Sequence, residues 1–309
     1  MCGRVPTTRA PQRAGSVGWL EARAFASNPS LGYERKIMNF GRSISGLGLS
    51  SALIFVGLAP SSAADQATLY MAEAGGLALR DIDPASGFSS VHQNLPRRSM
   101  GDLATDPTDP NTLYATWTAR GTEDFTPAWI SRLDTQNRET VDLAVLEPSW
   151  FDFSEDYFLG VHGLAISHLD PTTAIISASE VNRDWRIRTE DYALLRFDLE
   201  TLQPLGPAVA VDHYFNAMTF TPDGRTLLGA TGFFDGPVDN TGSVLYEINA
   251  LTGALSRIGY TGSRDLTGLA FHPHTHALYG IDAYFTDELV TLDPSTGAIN
   301  HRIGSAAGL

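Results

Sequence analysis

One cysteine and one lysine among 309 residues set the first limits on this sequence. The cysteine is Cys2, so no thiol follows it, which excludes disulfides, zinc–thiolate sites and a lipidated cysteine from the body of the chain. The lysine is Lys36, and beyond residue 64 only 14 basic residues face 33 acidic ones. Such a chain has little with which to neutralise phosphates, and nucleic acid is excluded as a partner. Long apolar runs are missing as well. A membrane-spanning helix needs roughly 20 apolar residues, and the longest run, Leu47–Leu58, falls short of that. There is no Gly-x-Ser-x-Gly elbow, no phosphate-binding loop and no His-Glu-x-x-His.

The N-terminal residues differ from the rest. Met38 opens "MNFGRSISGLGLSSALIFVGLAPSSAADQ", in which Arg42 precedes the apolar run and Ser62-Ala63-Ala64 follow it. That is the layout of a secretory leader cleaved after Ala64. Residues 1–37 then read as a disordered upstream extension, 38–64 as the leader and 65–309 as the mature domain. The expected location is periplasmic or extracellular, with no membrane span in the mature chain.

Two elements recur along 66–309. The first is "DLATDPTDPNTLYATW" (102–117), "GLAISHLDPTTAIISAS" (163–179), "AMTFTPDGRTLLGAT" (217–231) and "GLAFHPHTHALYGID" (268–282). The second is an apolar strand running into a polar turn, anchored at Asp83, Asp134, Asp198, Asn249 and Asp293, about 52 residues apart. Asp or Asn opens such a turn by bonding its own backbone, and Gly closes it at positive φ. Each element is a hairpin, and two hairpins make a four-stranded unit. The pattern resembles the secreted bacterial β-propeller repeats of the YVTN and WD-type superfamily. The resemblance implies an all-β propeller of four-stranded blades and says nothing of activity. Five blades are expected. Because "ATLYMAE" (67–73) matches a second strand, the C-terminal residues 305–309 are expected to supply the missing inner strand of the first blade.

Strands that alternate in direction place the short Pro- and Gly-rich turns on one face of a propeller and the long connections on the other. Long loops in compact domains usually carry function. The long-loop face gathers Trp117, Trp150, Trp185, Phe233 and Tyr284 with Asp152 and Asp235, a mixture of flat apolar platforms and hydrogen-bond acceptors suited to sugars, cations or a protein. Near the axis on that face the repeat places Glu73, Asp102, His162, Glu180, Asn216 and Asp282. No cofactor is required by this pattern; calcium is the ion that such oxygen ligands would hold. His272, His274 and His276 fall in a short turn, on the opposite face from Asp282, so the four do not form one metal shell. The expectation is an exported, non-catalytic propeller that binds a small molecule, a glycan or another protein through its long-loop face. The alternative is a hydrolase or lyase on the same face, glycoside-active or of the calcium-dependent lactonase type.

Overall fold

The computed structural model describes residues 53–57, 68–72, 78–95, 99–118, 127–154, 158–181, 187–232, 242–283 and 288–305, all within the unit Gly48–Leu309. Blade 1 holds β1 (Leu53–Gly57), β2 (Thr68–Ala72), β3 (Ala78–Ile82) and β4 (Ser89–Asn94). Blade 2 holds β5 (Ser99–Asp106), β6 (Asp109–Thr118), β7 (Ala128–Asp134) and β8 (Glu139–Leu146). Blade 3 runs through β9 (Phe158–Ser167), β10 (Asp170–Val181) and β11 (Ile187–Asp198), and its outer strand is split into β12 (Gln203–Pro204) and β13 (Val209–Val211), both paired with β11. Blade 4 is β14 (Phe215–Phe220), β15 (Leu227–Thr231), β16 (Val244–Ile248) and β17 (Leu255–Tyr260). Blade 5 is β18 (Leu266–Phe271), β19 (Leu278–Asp282), β20 (Glu288–Leu292) and β21 (Ile299–Ser305). The inner strands touch in the order β1, β5, β9, β14, β18 and back to β1, which closes a five-bladed propeller. No helix among the described residues is long and apolar enough to cross a membrane.

The ring closes differently from the expectation at one point. The inner position of blade 1 is taken by Leu53–Gly57, paired with Thr68–Ala72, not by residues 305–309. Ser305 ends the outermost strand of blade 5, opposite Glu288, and 306–309 lie outside the described residues. The sequence Leu-Ile-Phe-Val-Gly is β-branched, aromatic and bounded by glycine, which is strand composition as much as leader composition.

The five turn anchors act as their side chains dictate. Asp83 Oδ1 accepts the Ala85 amide, Asp134 Oδ1 those of Gln136 and Asn137, Asp198 Oδ1 those of Glu200 and Thr201, and Asn249 Oδ1 those of Leu251 and Thr252. Asp293 Oδ1 does the same for Ser295. The Ser86 and Ser295 hydroxyls, helped by these amides, hold Asp83 and Asp293 below the usual carboxylate pKa, and the Asn137 and Thr201 amides do most of the same for Asp134 and Asp198. Gly87, Gly253 and Gly297 close three of the turns at φ +73, +71 and +79, while Arg138 and Leu202 take the same left-handed position in blades 2 and 3 at φ 59 and 58.

Each sheet buries both faces, so the core is divided among the joints between blades. Tyr70, Leu79, Met100, Leu113 and Trp117 seal blade 1 to blade 2, and Ile130, Leu146, Leu164, Ile176 and Phe197 seal blade 2 to blade 3. Comparable clusters centre on Phe215 between blades 3 and 4, on Leu245 and Leu278 between blades 4 and 5, and on Met71 and Ile281 between blades 5 and 1. Burying one such large side chain is worth roughly 1.5–3 kcal/mol. No single joint dominates.

Candidate functional site

Four of the inner strands share an irregularity. The pairing slips by one residue between Met100 and Leu103, between Val161 and Leu164, between Phe215 and Ala217, and between Thr267 and Leu269. A bulge at the same level in blades 2 to 5 leaves one backbone amide per strand without a ladder partner, and a buried amide needs another acceptor. Asp102 supplies one. Its Oδ1 accepts the Leu103 amide at 2.8 Å, its Oδ2 accepts the Leu164 amide at 2.8 Å, and the Met218 amide also bonds to its carboxylate. One carboxylate thus ties blades 2, 3 and 4 together on the axis, with 1% of its surface exposed. Burial raises its pKa well above the ordinary value, against the pull of the three amides. Small residues are needed around it. A methyl group on Gly101 would meet Val161 O at 2.4 Å, and one on Gly163 would meet Met218 Cγ at 2.9 Å.

A polar belt lies on the long-loop side of this layer. His162 Nε2 is 2.7 Å from Ser179 Oγ, and its ring meets Tyr214 edge-on at 4.1 Å between centroids. Tyr214 donates its hydroxyl hydrogen to Asn216 Oδ1 at 2.9 Å, and Asn216 Nδ2 donates to Asp265 Oδ1 at 3.2 Å. The structure therefore joins two of the residues expected near the axis, His162 and Asn216, through Tyr214, which sequence reasoning passed over. The stretch "DHYFN" (212–216) carries both Tyr214 and Asn216, two residues apart. A serine on a histidine suggests nucleophilic chemistry. Here Ser179 is fully buried, and desolvation lowers the His162 pKa to about 3. The serine hydroxyl therefore has no exposed surface from which to attack an acyl carbon.

The remaining axial residues are committed elsewhere. Asp282 Oδ1 accepts from Ser263 Oγ at 2.7 Å, and Oδ2 pairs with Arg302 at 2.8 Å. Arg302 also bonds Glu288, so Asp282 is a buried and neutralised carboxylate that anchors blade 5. Glu180 is buried, with Oε1 accepting the Ser154 amide at 3.1 Å. Among the described residues no group of three or more His, Cys, Asp or Glu side chains could hold a metal ion. His272 Nδ1 accepts the His274 and Thr275 amides at 3.2 Å, which makes it the local cap of the β18–β19 turn.

The aromatic platform is only partly what the loops suggested. Trp117 has no exposed surface and fills the joint between blades 1 and 2, so it offers no face to a ligand. Trp150 is half-buried on a 3-10 turn (Pro148–Phe151), its ring 5.9 Å from Phe197. Asp152 caps that turn at φ 60 and is exposed. Glu73, Trp185, Phe233, Asp235 and Tyr284 lie outside the described residues.

A ligand-sized space lies on the other side of the bulge layer. A cavity of about 330 Å³ runs along the axis toward the short turns. Leu103, Leu164, Met218 and Leu269 form its inner end, Thr105, Ile166, Thr219, Phe220 and Phe271 its wall, and Pro107, His168, Pro222, Pro273 and His276 its rim. No motif marked it, because each blade contributes only ordinary strand residues.

No known protein family and no curated protein matches the sequence. Among solved structures the chain is similar to TolB from Acinetobacter baumannii, at 13% identity and a TM-score of 0.43 over 82% of this chain. It spans about half, 53%, of that protein's length. It is also similar to an oligogalacturonate lyase in complex with manganese (14% identity, TM-score 0.39, covering 77% of this chain and 62% of that one). A chain of a nidogen/laminin complex is a third (13% identity, TM-score 0.44, covering 77% and 93%). The strand order and the contacts between inner strands make the chain a five-bladed β-propeller of four-stranded antiparallel sheets.

Proposed function

We propose that this protein is a non-catalytic binding propeller that takes a small, largely apolar ligand into the axial cavity on its short-turn side. One observation carries this reading. The described polar residues at the axis are bonded internally, whereas the 330 Å³ cavity beside them is open-walled, lined by apolar strand residues with a few polar ones, and of ligand size. Thr105 supplies a hydroxyl, and His168 and His276 supply ring nitrogens, for orienting one or two polar groups of the ligand. The expected long-loop site loses Trp117 to the core, which moves the favoured site to the opposite face.

The test is a thermal-shift and native mass-spectrometry screen of small apolar and aromatic compounds. The wild type is compared with Thr219→Trp, which fills the cavity from a partly exposed wall position. Ligands that raise the wild-type Tm and lose their effect in T219W support the proposal. Ligands that act equally on both proteins, or none at all, overturn it. Export is part of the same proposal and rests on the leader layout of 38–64. Cleavage after Ala64 would remove β1 and leave blade 1 with three strands, so mass analysis of the protein secreted from a Met38 start also reports which N-terminus the ring uses.

A further inference from the structure

We propose that the bulged inner strands form a carboxylate-binding site of backbone amides at the propeller axis, which the chain fills with its own Asp102. The donors come from three separate blades, Leu103, Leu164 and Met218, and the Leu103 and Leu164 bonds are both 2.8 Å, the length of a charge-assisted bond. Convergent backbone amides in a concavity bind anions without needing a cationic side chain. The Asp102 amide is held in turn by Thr116 Oγ1 at 3.0 Å, which fixes the carboxylate's own backbone. Position matters here as much as distance. In the repeat, Asp102 corresponds to Gly163, Ala217 and Gly268, so the sister blades carry small residues where blade 2 carries the carboxylate. The same three donor residues form the inner end of the axial cavity. Asp102 therefore ties blades 2, 3 and 4 together directly behind the cavity's inner end.

An internal ligand can be replaced by an external one. Asp102→Ala removes the carboxylate and leaves the amides, and formate is a carboxylate small enough to take its place. The full chain is unfolded thermally at pH 7 and constant ionic strength, with sodium chloride replaced stepwise by sodium formate. In chloride the A variant is expected to melt at least about 5 °C below wild type, given the two or more charge-assisted bonds it loses. Formate is expected to recover at least half of that loss along a saturating curve while moving wild type by no more than about 1 °C. Asp102→Asn keeps the shape, fills the site with an amide and is expected to be destabilised without rescue. An unchanged Tm in D102A, or an equal formate response in wild type and variant, overturns the proposal. Should D102A fail to fold in any salt, hydrogen exchange of the wild type decides. Leu164 and Met218 amides that exchange only through global unfolding support the site, and exchange within seconds refutes it.

Discussion

Acid should weaken this fold through His162, by an amount the structure allows to be worked out. The imidazole titrates near 6.5 in the unfolded chain and near 3 in the folded one, because burial disfavours its charged form. A folded-state pKa below the unfolded value means the contribution to stability is intact above about pH 6.5 and drains as pH falls toward 3. The slope is about 1.4 kcal/mol per pH unit, so two units, down to pH 4.5, cost about 2.7 kcal/mol. The ring retains some contact with solvent, which brings the expected loss to about 1–3 kcal/mol. Asp102 works in the opposite sense: its raised pKa gives a contribution present in acid and lost as pH rises through the folded value. Comparing wild type with His162→Gln cancels that term, since Asp102 is common to both, and glutamine can still reach Ser179. Urea unfolding at pH 7.5, 6.0 and 4.5 should show the wild type losing about 1–3 kcal/mol relative to H162Q over the range. Parallel stability curves, or a relative gain for wild type in acid, would refute the reasoning.

Two turns and one ion pair give further predictions. Arg138 and Leu202 both occupy the left-handed region that Gly fills in sister blades, at a strain of roughly 1–2 kcal/mol. Arg138 is exposed, so Arg138→Gly should stabilise by about 0.5–1 kcal/mol in denaturant titrations, once the greater freedom of Gly in the unfolded chain is subtracted. Leu202 packs against the cluster between blades 2 and 3, and Leu202→Gly should show no such gain. Arg302→Gln removes the partner of buried Asp282 and should lower stability by about 1–2 kcal/mol, discounted for the half-exposed arginine. A smaller loss in the double variant with Asp282→Asn than in R302Q alone would confirm that the unpaired carboxylate is the cause.

The parts legible in the sequence were the local ones. Asp83, Asp134, Asp198, Asn249 and Asp293 each bond amides two or three residues on, so a turn signal and its structural outcome lie in the same short window. The blade count followed from their spacing. Leu53–Gly57 was not legible, because an inner strand and the centre of a leader ask for the same apolar composition. Trp117 was recognisable as an aromatic beside a loop, yet its burial depends on Tyr70, Leu79 and Met100 from other strands. The Asp102 bond to Leu164 spans 62 residues, and no pattern in the chain announces it.

That last contact explains why polar residues gather at the axis. Closing five twisted sheets around a narrow axis crowds the inner strands, and the crowding shows in Gly101 against Val161 and Gly163 against Met218. A bulge relieves it in each of four blades and frees an amide inward. Buried amides demand acceptors, and Asp102 meets that demand for three of the blades. The carboxylate at the axis is thus a consequence of ring closure before it is anything else, and its chemistry is already used. Recognition of a ligand needs groups whose hydrogen bonds are not spent in this way. On the described surface, the cavity below the bulges sets Thr105, His168 and His276 among mostly apolar strand residues, and a ligand would meet its polar groups there.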